Sequence, residues 1–199
     1  MKKTLQISIY LLITMCLISC ITKYRIQEAE YKFIPYNGNE ILVFESSESE
    51  IDTISLKAYN GWSKTEKVPY RIFHNKYEKY GMELIRNNSN VSDSVPNFVI
   101  ELKAFDWKGL RIKLRTKSDN PNYMNRTSFT VSEFDSIPTI EIQINGTIYS
   151  DVKVIFGEKH QNENQINQFY WSEKHGLLGW NNKTTKWRLR KKYVPQQRV

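Results

Sequence analysis

Alternation at period two is the feature that most restricts what this chain can fold into. Phe98-Val99-Ile100-Glu101-Leu102-Lys103-Ala104 and Leu110-Arg111-Ile112-Lys113-Leu114-Arg115 carry apolar residues at every second position. A β-strand turns such residues onto one face, whereas a helix scatters them around its axis. Each run therefore predicts a strand with one side on a core, and Asp106-Trp107-Lys108-Gly109 predicts the turn between them. Ile140-Glu141-Ile142-Gln143-Ile144 repeats the pattern and leads through Asn145-Gly146 into a run with Val152, Val154 and Phe156 on one side. Asn-Gly between alternating runs signals a hairpin, because both central residues of a type I′ turn need positive φ.

Further β-prone runs lie at 40–45 and 51–59, around the acidic turn Ser46-Ser47-Glu48-Ser49-Glu50, and at 68–73 and 80–85. Phe129 and Val131 mark another short strand, and residues 87–96 and 159–167 read as loops. No segment outside residues 1–19 sustains a helical apolar stripe for three turns. The expectation is an all-β domain, an antiparallel sandwich or partly open barrel of about eight to ten short strands, preceded by a signal-peptide helix.

The first residues have a different grammar. Lys2 and Lys3 precede an apolar run from Leu5 to Ile18, and no charge follows until Lys23. As a helix the run spans roughly 21 Å, short of the ~30 Å hydrocarbon core of a bilayer. This segment resembles a bacterial lipoprotein signal peptide, with Leu17-Ile18-Ser19-Cys20 as the lipobox. The resemblance implies cleavage before Cys20, diacylglycerol on its thiol and acylation of the new amine, hence a stable membrane anchor. No acidic cluster follows Cys20, and the family pattern then implies the outer membrane, facing the periplasm.

Removing residues 1–19 leaves 180 residues, enough for one domain with a core. Residues 20–30 read as a lipidated tether, 31–193 as a single β-rich domain and 194–199 as a frayed basic tail. Cys16 leaves with the leader, so the mature chain has no cysteine pair for a disulfide. The net charge of +8 is unevenly spread: after Glu173 there are eight Lys or Arg and no acid. The body is close to neutral, and the basic end reads as a solvated last strand or as a polyanion-binding patch.

Phe169-Tyr170-Trp171-Ser172, Gly176-Leu177-Leu178-Gly179-Trp180 and Lys186-Trp187-Arg188-Leu189-Arg190 predict a closing three-strand meander. Together with the lipobox, this ending resembles the small uncharacterised envelope lipoproteins of Gram-negative bacteria. That likeness implies a β fold and an envelope address, and it implies no activity.

Catalytic signatures are sparse. His74, His160 and His175 have no partner at a metal-binding spacing, and no nucleophile motif or phosphate-cradling glycine loop is present. No cofactor is expected. Glu133 with Asp135, or Glu101 with Glu141, are the carboxylate pairs a glycan hydrolase would need. Trp62, Trp107, Trp171, Trp180 and Trp187 suit a β core better than a sugar-stacking platform. The sharpest feature of the body is Arg111, Lys113, Arg115 and Lys117 on one strand face, a candidate anion-binding surface that Glu101 partly neutralises. The expectation is a lipid-anchored, noncatalytic binding or scaffolding module, tied to the membrane through Cys20, whose partner is an anionic envelope component or another envelope protein. Nucleic acid is not expected as a partner. An envelope glycan hydrolase and a carrier of an apolar ligand are the alternatives.

Overall fold

The computed structural model describes residues 22–64, 75–86, 97–104, 110–117, 126–156 and 166–195. The leader with Cys20, the runs at 68–73 and 87–96, the turn 106–109, and His74, Trp107 and His160 lie outside the described residues.

Twelve strands carry the described structure: β1 (Lys23–Tyr24), β2 (Ile41–Ser46), β3 (Ile51–Lys64), β4 (Lys76–Arg86), β5 (Asn97–Ala104), β6 (Leu110–Lys117), β7 (Arg126–Thr130), β8 (Thr139–Ile144), β9 (Thr147–Phe156), β10 (Gln168–Ser172), β11 (Gly176–Asn181) and β12 (Lys186–Tyr193). Eleven of them form one continuous antiparallel sheet in the order β7-β6-β5-β4-β3-β2-β12-β11-β10-β9-β8, curled into a half-barrel. The all-β, partly open barrel expectation holds, with more strands than anticipated. The chain lays down one meander from β2 to β7 and a second from β8 to β12, and the two fuse where β12 pairs with β2.

The Asn145-Gly146 hairpin forms as expected, with φ of 49° and 81° at its two central residues and Ile144 opposite Thr147. The closing meander is present too, as β10, β11 and β12. Two expectations need correction. Val131 does not extend a strand; it opens the short helix α1 (Val131–Asp135), because Thr130 and Glu133 form a capping box that satisfies the first backbone N–H groups. Nor is the stretch from Thr22 to Glu30 a free tether. β1 pairs in parallel with β4, Ile26 is buried, and a 3₁₀ helix over Glu28–Phe33 seats Phe33 in the core.

Helix α1 joins the two outer strands, β7 and β8, and closes against the core chiefly through Phe134, with Val131 partly buried beside it. Phe134 is buried, edge-on to Phe33 at 5.7 Å and to Phe129 at 6.0 Å. Lys153 donates to the carbonyls of Asp135 and Ile137, satisfying acceptors that the end of a helix leaves open. The core is lined by Leu42 and Phe44, Ile54 and Leu56, Met82 and Leu84, Ile100 and Leu102, and Ile112 and Leu114, the alternate positions of β2 to β6. Trp180 and Trp187 stack at 5.6 Å, and Phe44 lies 4.7 Å from Trp180. Each fully buried aliphatic side chain contributes about 1.5–3 kcal/mol, and the aromatics bury still more area.

Candidate functional site

The opposite face of β3 to β6 is polar, and its residues line up across the strands. Tyr59 stands opposite Gly81, Gly81 opposite Glu101, and Glu101 opposite Lys113. The neighbouring lines run Lys57 to Glu83 and Gly61 to Lys79, Lys103 and Arg111. Paired residues share a face of the sheet, so period two alone brings these groups together.

Glu101 is the hub. It is only 6% exposed, and Lys113 Nζ lies 3.4 Å from one of its carboxylate oxygens while Lys79 Nζ lies 3.8 Å from the other. The Tyr59 hydroxyl donates to the same oxygen as Lys79, at 3.1 Å. Gly81 makes this possible through space, not through φ. A Cβ there would come within 2.6 Å of the Tyr59 ring and 2.5 Å of the Ile100 carbonyl oxygen, so only glycine lets the phenol lie across the strand and reach the carboxylate.

Around this hub is a cleft of about 450 Å³ lined by Lys57, Tyr59, Gly61, Trp62, Lys79, Glu83 and Glu101. Trp62 is 45% exposed, unlike Trp171, Trp180 and Trp187, which are core residues as expected. Five cations, Lys57, Lys79, Lys103, Arg111 and Lys113, surround the two carboxylates Glu83 and Glu101 on this face. Such a surface offers ammonium donors to an anion and carboxylates to hydroxyl groups.

Of the residues singled out in the sequence, Arg111 and Lys113 sit on this face beside Glu101, as anticipated. Arg115 and Lys117 continue β6 opposite Val99 and Asn97, and their side chains lie outside the described residues. Trp62, read with the other tryptophans as a core residue, is exposed instead; Lys57, Lys79 and Tyr59 escaped sequence reading because they come from strands distant in the chain. The signal for them was the same alternation, with the pairing order unknown.

The carboxylate pairs proposed for hydrolysis are not assembled. Glu133 caps α1, and the Thr130 N–H and hydroxyl hold its carboxyl below the usual range. Asp135 is two positions along the same helix, a spacing that does not share a face. Glu141 lies exposed on β8, an outer strand of the sheet, while Glu101 is engaged by lysines on β5. His175 contacts Tyr149 edge-on at 5.1 Å. Much of the basic end serves the fold: Arg188 donates to the carbonyl of Trp187 and to Asn181 and lies 4.3 Å over the Tyr170 ring, and Lys192 donates to the Pro35 carbonyl. Burial pushes the Arg188 guanidinium down from its ordinary value, with Tyr170 opposing.

Comparison with known proteins finds no family model, no curated protein and no solved structure that matches this chain.

Proposed function

We propose that the chain is a lipid-anchored protein of the bacterial cell envelope, held to the outer membrane through Cys20, whose β domain is a noncatalytic module binding an acidic glycan in the cleft of β3 to β5. The leader grammar and lipobox support the address. The cleft supports the binding role, and the observation that carries it is the buried Glu101 held between Lys79 and Lys113 in a cleft that Lys57 and Glu83 also line. The hydroxyls of a sugar meet Glu83, and its carboxylates or phosphates meet Lys57 and Lys79.

Neither alternative draws comparable support. A carrier needs an open interior, and the concave side here is filled by packed aliphatic and aromatic side chains. A glycan hydrolase needs one free acid and one free base facing across a cleft, and Glu101 is already committed to two lysines and a tyrosine.

Tryptophan fluorescence titration tests the binding role, with oligogalacturonate as the acidic probe and a galactan oligosaccharide as its neutral counterpart. A saturable change with the acidic probe that weakens in salt, and that disappears in Lys57→Ala and Lys79→Ala with the fold intact by circular dichroism, supports the module. No saturable response, or equal responses to both sugars, removes it. The mass of the mature protein and of a Cys20→Ala variant tests the anchor independently.

A further inference from the structure

Three lysines from three strands stand in one register line where the chain enters the sheet. Lys23 of β1 lies opposite Lys76 of β4, and Lys76 lies opposite Lys64 of β3, so all three rise from the same face. None has an ion-pair partner among the described residues. Glu78, two positions along β4 on that face, instead accepts from the backbone N–H of Ile26 at 2.9 Å. Exposed Arg25 adds a fourth cation nearby. Like charges set directly opposite one another oppose strand pairing, and a negative counterpart relieves that opposition.

The position of the row identifies the counterpart. The N–H of Lys76 donates to the carbonyl of Thr22 at 2.9 Å, which pins the chain to β4 two residues after Cys20. Two residues reach at most about 7 Å, within the ~8 Å over which charges still act in physiological salt. We propose that Lys23, Lys64 and Lys76 form a membrane-docking face that takes the phosphates of anionic lipid headgroups and stands the sheet end-on over the leaflet holding the anchor. This rests on the reading that residue 20 lies at a membrane surface. It concerns the end of the sheet, whereas the glycan cleft lies on its face. β3 runs about 40 Å from Lys64 to Ile51, and the N–H of Ser47 beyond that end donates to the carbonyl of Lys186. Lys183 and Lys186 therefore sit far from the row and serve as internal controls.

The test uses the full chain purified from membranes, its mature mass recorded. The protein is reconstituted in vesicles of phosphatidylcholine, with or without phosphatidylglycerol, and its lysines are acetylated with a water-soluble reagent and mapped by mass spectrometry. Phosphatidylglycerol is expected to slow labelling of Lys23, Lys64 and Lys76 by about fivefold each, the factor a lysine gains from an anionic leaflet. Lys183 and Lys186 should be unaffected, and high salt should restore labelling. Equal labelling in both vesicles overturns the docking face, whatever the mass shows. Protection by inorganic phosphate over phosphatidylcholine, equal to that from phosphatidylglycerol, also overturns it in favour of a small-anion site. A mature mass without acyl groups overturns the lipid anchor alone, because the footprint is read on the same sample and decides docking by itself.

Discussion

Tyr36 and Leu177 lie 141 positions apart in the chain, and the backbone N–H of Leu177 donates to the tyrosine hydroxyl at 2.6 Å. The bond ties the segment before β2 to the start of β11 in a buried setting, with the Tyr36 ring edge-on to Trp171. Gly176 sits at φ +83°, and a Cβ there would collide with the Tyr36 hydroxyl. Tyr36→Phe leaves a buried N–H without an acceptor and should lower stability by about 1–3 kcal/mol. Gly176→Ala adds a disfavoured φ and a clash and should be the more damaging of the two. Urea unfolding followed by tryptophan fluorescence measures both, and an unchanged midpoint in Tyr36→Phe would show that the bond contributes nothing.

The same hydroxyl gives the fold an alkaline limit. Burial pushes its pKa well above the ordinary tyrosine value, with Glu40 adding to the rise and the Leu177 N–H pulling against it. A group whose folded pKa exceeds its unfolded value of about 10 contributes stability in full below that pH and loses it as pH rises further. Unfolding curves recorded on either side of pH ~10 should show stability falling with pH. The slope should be shallower in Tyr36→Phe; equal slopes in the two proteins would assign the alkaline loss to other groups.

Much of this architecture was legible because period two is a local signal. The alternation at Phe98 to Arg115 located β5 and β6, and Asn145-Gly146 located the hairpin, since each depends only on neighbouring residues. Strand order does not. Nothing near Arg188 announces that β12 pairs with β2, which lies far earlier in the chain. The cleft was half legible for the same reason. Glu101 and Lys113 are close in sequence and were matched, while Tyr59 and Lys79 enter only once β3 and β4 take their places. Docking of Thr22 to Glu30 was missed because that segment is polar on average, and its hold depends on single apolar anchors, Ile26 and Phe33.

Glu101 and Lys113 should behave as a coupled pair. Lys113 is 14% exposed and Glu101 8% at their side chains, so removing one leaves the other charged in a poorly hydrated place. Glu101→Ala is predicted to destabilise by about 3 kcal/mol, as broken buried pairs do. Lys113→Met should cost less, because Lys79 and Tyr59 still satisfy the carboxylate. The double variant should fall short of the sum of the singles by more than about 0.5 kcal/mol. Strict additivity in a double-mutant cycle would show the two side chains to be independent.

Acid should act through the turn between β10 and β11. Burial on its own would push the Asp151 carboxyl up, but the Ser172 hydroxyl at 2.8 Å and the Lys174 N–H at 3.2 Å outweigh it and hold the group below the usual range. Ser172 in turn accepts from the Lys174 and His175 N–H groups, so one carboxylate organises the whole turn. A group with a depressed folded pKa stabilises above its unfolded value of about 3.9 and loses that contribution as pH falls through the folded value. Asp151 is half-buried and still in contact with solvent, and screening keeps the neutral-pH loss in Asp151→Asn at or below about 1 kcal/mol. The variant should instead be distinguished by a flatter acid limb, with Ser172→Ala intermediate. Thermal unfolding between pH ~6 and ~2 measures it, and identical acid limbs in all three proteins would remove Asp151 from the account of acid stability.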